Sequence, residues 1–193
     1  MEELEQAMSG FLNQYNPEGT EERALLSGIN AALRHNPTYS PDIPHLHKEE
    51  IRAFWINQLQ VLGQKYQTQQ TRQTFVEDVI RLRGVMNEHF FEDFQNGNTN
   101  YQQCFRIAHA QKSLSVYLKH KWCMGQVAEL NVCPLDRTIL HNACINGISW
   151  TRLDMELNQE GQLLYVDLLN QVELFANNDR PELTIAQWEL VTF

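Results

Sequence analysis

Ile51, Phe54, Trp55, Leu59 and Leu62 fall on one stripe of an α-helix, whereas a strand would split them between its two faces. The same spacing recurs along most of the chain. Leu4, Met8, Phe11 and Leu12 mark a helix over 2–15, halted by Asn16-Pro17. Thr20 followed by Glu21 and Glu22 is a helix start, and Leu25, Leu26, Ile29, Ala32 and Leu33 carry that helix to Asn36-Pro37. Pro37, Pro41 and Pro44 make 36–46 a rigid connection, because proline lacks the amide that a helix interior needs. The Ile51 stripe then spans Lys48 to about Tyr66.

Thr68 and Thr71 are candidate caps for a helix carrying Phe75, Val79, Ile80, Leu82, Val85, Met86 and Phe90, which ends before Asn96-Gly97-Asn98. Leu114, Val116, Tyr117, Leu118 and Trp122 give the next helix a broad apolar face, expected of a helix deep in a bundle. Ile139, Leu140, Ala143 and Cys144 continue a pattern from Asp136 to Asn146-Gly147, and residues 149–154 read as an ordered connection. A helix follows over 160–176, and Pro181-Glu182-Leu183-Thr184 opens a last one through Trp188. No alternating strand, βαβ rhythm or internal repeat interrupts this order. The fold expected is all-α, a compact two-lobed domain over 1–193 with a candidate lobe boundary at 95–100.

Composition narrows the functions. The 24 acidic and 15 basic residues give a net charge of -9, which argues against indiscriminate coating of nucleic acid but allows a local basic groove. No apolar run reaches the length of a membrane span, and no signal segment is visible at Met1-Glu2-Glu3-Leu4-Glu5. Cys104, Cys123, Cys133 and Cys144 lack CxxC spacing, so reduced and mostly buried thiols in a cytoplasmic setting are expected. His45-Leu46-His47 reads as loop beside Pro44, with no acidic or cysteine partner at metal spacing; no metal and no cofactor is expected.

One window breaks the acidic average. Between Asp93 and Glu129 there is no Asp or Glu, while Arg106, Lys112, Lys119 and Lys121 all fall there. Gln111-Lys112-Ser113 leads into the apolar-faced helix, which ends near Gly125, and Cys133-Pro134-Leu135-Asp136 starts another. A lysine at a helix start meets the positive end of the helix dipole, which favours the neutral amine, and a neutral amine attacks electrophilic sugar or carbonyl carbons. An ionised carboxylate at the next helix start can stabilise an oxocarbenium-like centre or deprotonate a nucleophile.

Gln111-Lys112-Ser113-Leu114-Ser115-Val116-Tyr117, followed by Cys133-Pro134-Leu135-Asp136-Arg137, resembles the helix-hairpin-helix DNA glycosylases, especially 8-oxoguanine glycosylases and their archaeal relatives. In that family a catalytic lysine opens a helix, and a helix-initiating aspartate follows a Pro-apolar pair some twenty residues on. The resemblance implies Lys112 as nucleophile on the sugar anomeric carbon and Asp136 as the carboxylate that activates it. It implies double-stranded DNA with a modified or damaged base as partner, bound by a monomer that flips the base. Arg106, His109, Lys119 and Arg137 are then candidate DNA contacts, and Trp55, Cys133 and His141 candidate walls of a base pocket. One difference from the family lies in Gln103–Ala110, which holds no glycine where the family carries a Leu-Pro-Gly-Val-Gly-like turn that grips a phosphate.

Simpler roles stand beside these. Lys112, Lys119 and Lys121 also read as solvated lysines, Asp136 as an N-cap alone, and His109 and His120 as structural histidines. Trp122 belongs to the core, while Tyr39 and Trp150 stay open between core and base stacking. Two further functions fit the chain: a non-enzymatic helical interaction or regulatory protein, phage- or defence-related, and a lysine-dependent lyase acting on a small molecule.

Overall fold

The structure, a computed structural model, describes residues 2–193. Among them are eight α-helices and no strand: α1 (Glu2–Tyr15), α2 (Glu21–Leu33), α3 (His45–Gly63), α4 (Arg72–Phe90), α5 (Ile107–Cys123), α6 (Arg137–Asn142), α7 (Leu164–Asp179) and α8 (Ile185–Thr192). The only extended pairing among the described residues is a single antiparallel bridge between Leu157 and Leu163. No helix among them is long and apolar enough to cross a membrane.

Local chemistry sets several ends. The hydroxyls of Thr20, Thr71 and Thr184 accept hydrogen bonds from the amides of Arg23, Thr74 and Gln187, which caps α2, α4 and α8. The start of α3 is earlier than the sequence suggests. Pro44 is its N-cap, so His45, Leu46 and His47 form the first turn rather than a loop. His47 there bridges Glu50 and Asp93 at 2.9 and 3.0 Å. Residues 95–100 form an outer loop, tied back where the Asn96 amide donates to the Pro37 carbonyl. The apolar core runs unbroken beneath it, with α4 packed on α5.

Almost every residue of α5 is buried, its polar ones included. It packs most extensively against α2, and also against α1, α3 and α4. Glycine permits this approach: a Cβ on Gly28 of α2 would stand 2.5 Å from the Ser113 carbonyl oxygen, and one on Gly63 of α3 would stand 2.8 Å from the Tyr117 ring. The Tyr117 hydroxyl donates to Glu21 at the start of α2 at 2.7 Å, and Lys121 donates to the same carboxylate at 2.8 Å.

The helix begins at Ile107, not near Gln111, because a distant loop caps it. The Ile107 amide donates to the buried Asp154 carboxylate at 3.1 Å and the Ala108 amide to the Leu153 carbonyl at 2.8 Å. Asp154 is held in turn by the Arg83 guanidinium and by the Cys104 thiol.

The Gly28 contact yields a test. Gly28→Ala gains roughly 1 kcal/mol of helix propensity, but a methyl against a backbone carbonyl cannot be accommodated by a side-chain rotation. Net destabilisation of about 1–3 kcal/mol is expected, or a fall of several degrees in the thermal midpoint measured by circular dichroism. An unchanged or higher midpoint would show that α2 does not lie this close to α5.

Candidate active site

The two chemical candidates of the sequence meet. Lys112, in the second turn of α5, points its Nζ at Asp136 Oδ2, 2.7 Å away. Asp136 has extended backbone and stands as N-cap of α6, where its other oxygen, Oδ1, accepts from the Ile139 amide at 3.0 Å. One carboxylate oxygen is thus committed to the fold and the other to the lysine. Lys112 is 9% exposed, and the Asp136 side chain keeps 29% of its surface in solvent. Burial raises the Asp136 carboxyl pKa. The adjacent Lys112 ammonium and the hydrogen bonds from Lys112, Ile139 and Thr138 outweigh that effect and hold it below the ordinary aspartate value.

The lysine does not open its helix. With Ile107 as the first helical residue, the dipole effect expected at a helix start is spent a turn before Lys112. The opening amides of α5 are also engaged: Ile107 by Asp154, Ala108 by Leu153, and His109 and Ala110 by the Arg106 carbonyl. These opening amides of α5 are therefore not free to take a phosphate.

A third side chain joins the pair. The Trp150 ring centroid lies 6.0 Å from Lys112 Nζ. Trp150 opens a 3-10 turn, Trp150–Arg152, which Arg106 secures by donating its Nε–H to the Thr151 carbonyl at 3.1 Å. Arg106 is wholly buried, and its other donors reach the carbonyls of Gln102 and Pro37 and the Asn36 side chain. It braces the site from within, so the expected DNA contact at Arg106 is corrected to a structural role.

The other expected residues divide. Arg137 and His141 are exposed on α6, beside Asp136 and one turn past it. His109 is buried: its Nδ1 accepts the Arg106 amide and its Nε2 lies 2.8 Å from the Thr38 hydroxyl, and burial keeps it neutral by lowering its pKa well below the usual value. It faces no solvent, so the expected DNA contact at His109 is corrected to a structural role. Lys119 is buried against Glu189 of α8 at 2.6 Å, with Phe11 of α1 over it.

Trp55 is also core. It donates its indole N–H to the Ser113 hydroxyl at 3.1 Å and packs edge-on against Phe105. Cys133 is buried with its thiol pKa pushed up by burial, so it is packing behind Asp136 rather than an open pocket wall. Of the open aromatics, Tyr39 stacks on Phe94 and only Trp150 reaches the lysine.

Sequence reasoning overlooked Gln111. Its buried amide donates to the Leu135 carbonyl at 2.8 Å and accepts from the Leu135 amide at 3.1 Å. Nothing local signals this, because both partners belong to a segment 24 residues on. Two surface clefts lie elsewhere: one lined by Leu25, Leu26 and Ile56 between α2 and α3, the other by Met8, Leu12 and Cys123 beside α1. Among the described residues, no group of three His, Cys, Asp or Glu side chains is disposed to hold a metal.

The depressed Asp136 carboxyl fixes a sign for pH dependence. Its contribution to stability is fully present above the unfolded aspartate value of about 3.9 and is lost as pH falls through the lower folded value. The wild type should exceed Asp136→Asn in unfolding free energy by about 1–2 kcal/mol at neutral pH. That advantage should fade below about pH 4 in urea titrations. A constant difference down to pH 2 would show that the carboxylate is not coupled to folding. No protein-family model matches the chain, and no curated protein or solved structure matches it either.

Proposed function

We propose that the chain is a DNA glycosylase that removes a modified or damaged base from double-stranded DNA, with Lys112 as nucleophile and Asp136 as the assisting carboxylate. The observation that carries this reading is the 2.7 Å approach of those two side chains from separate helices. They are the residues to which the resemblance with helix-hairpin-helix glycosylases assigns the chemistry. Trp150 beside the amine supports it, since an aromatic face next to a nucleophile suits a flipped base. Exposed Arg137 and Arg152 add positive groups on the segments that form the site.

At rest the amine is engaged by the carboxylate. Reaction requires the substrate to part them and the amine to release a proton. Its lone pair then forms a bond to the sugar anomeric carbon while the glycosidic C–N bond breaks. The base leaves with that electron pair and takes up a proton. Asp136, left anionic, offsets the positive charge that builds on the sugar. Ring opening gives a Schiff base between Lys112 and the sugar, from which strand cleavage can follow; if water attacks in place of the amine, the base is removed without an adduct.

The test is borohydride trapping on duplexes carrying 8-oxoguanine, other lesions, abasic sites and hypermodified cytosines. The wild type should give a covalent complex on at least one duplex, and Lys112→Gln should give none, a loss of at least about a hundredfold. A complex that survives in Lys112→Gln would remove Lys112 from the role. No complex and no base release on any duplex would favour the non-enzymatic interaction protein, a reading consistent with the net charge of -9 and the low exposure of Lys112. Which duplex reacts would separate repair from defence against modified foreign DNA.

A further inference from the structure

We infer that Gln111 is a positioning residue for the site, setting the register that brings Asp136 to Lys112. The inference rests in part on the glycosylase reading, because it assigns a task within that site. Gln111 immediately precedes Lys112 on α5, and Leu135 immediately precedes Asp136. The Gln111 side chain closes a two-way amide ring with the Leu135 backbone, donating to its carbonyl at 2.8 Å and accepting from its amide at 3.1 Å. Both neighbours of the reactive pair are therefore pinned to each other, and the next residue on each segment inherits the alignment.

The clamp is fully buried, with Leu135 and Gln111 both shut off from solvent. In such a place a backbone amide and carbonyl cannot exchange their partner for water, so the bonds fix one register. Alternatives are few. Asp136 Oδ1 is tied to the Ile139 amide, which orients the carboxylate with respect to α6 but says nothing of where α6 sits against α5. Trp55 is bonded to Ser113, one residue past Lys112, which steadies α5 against α3 and not against the Leu135 segment. Only the glutamine joins the lysine's helix to the aspartate's segment by hydrogen bonds that leave both reactive side chains free.

An apolar side chain of similar length removes the ring and keeps the volume. In Gln111→Met the segment before α6 loses its register, and the Asp136 carboxylate moves off the Lys112 amine. Two readouts separate this from a loss of stability alone. The Asp136 carboxyl titration, followed by carbon NMR on folded protein, should move upward toward the ordinary value of about 3.9. The single-turnover rate of adduct formation on the reactive duplex should fall about ten- to a hundredfold with DNA affinity retained.

Gln111→Asn is the milder companion, keeping a polar amide but too short to close both bonds; it serves if the methionine variant does not fold, and the same two shifts are expected. An Asp136 titration unchanged from wild type in a folded variant would overturn the inference, whatever the melting temperature does. If the wild type gives neither adduct nor base release on any duplex, the glycosylase reading fails, and the titration still decides whether Gln111 sets the pair.

Discussion

A helix drawn into the middle of a protein needs partners for the polar groups it carries; α5 carries many, and among its described buried side chains His120 Nδ1 is the exception left without one. His109, Gln111, Ser113, Ser115 and Lys119 are all buried along it, with Arg106 at its entry and Lys112 barely exposed. Left unpaired, each would cost on the order of 1–3 kcal/mol, and a charge more. The rest of the fold is arranged to meet them. Asp154 comes from beyond α6 to take the first amide, α8 supplies Glu189 for Lys119, and α3 supplies the Trp55 N–H for Ser113. Two glycines let α2 and α3 come close enough for the packing to follow.

That dependence decides what the sequence could reveal. Thr20, Thr71 and Asp136 were legible as caps because a cap bonds an amide three residues on, within reach of local pattern. The start of α5 was not, since it is set by Asp154, 47 residues away. Arg106 reads as a free cation until the carbonyls of Gln102, Pro37 and Thr151 are brought to it. The all-helical class was legible throughout, because apolar spacing is a property of each segment alone. The late start of α7 was missed for the opposite reason: residues 157–163 turn back on themselves through the Leu157–Leu163 bridge, although their leucines suit a helix.

For the candidate site the sequence supplied the two residues proposed to react but not their surroundings. Lys119, two turns after Lys112, shares its face to within about 20° yet sits roughly 10 Å farther along the axis. There it meets Glu189, not Asp136. The charged window therefore resolves into three ion pairs on one helix, Lys112 with Asp136, Lys119 with Glu189 and Lys121 with Glu21, of which the Lys119 pair is the most enclosed. The aromatic neighbour is Trp150 and not Trp55, because Trp55 lies on α3 facing Ser113 while Trp150 rides on a turn that Arg106 anchors.

The lysine–aspartate contact also bears on selectivity. A reactive amine in a cell is surrounded by aldehydes and reducing sugars with which it would condense. An amine engaged by a carboxylate offers no lone pair, and one that is 9% exposed offers little approach. Small carbonyl compounds bring too few contacts to displace Asp136 from Lys112. A ligand large enough to grip Trp150 and the α6 surface together could draw the two apart. On the proposed function, the ion pair that fastens α6 to α5 would then also keep the Lys112 amine silent until such a ligand arrives.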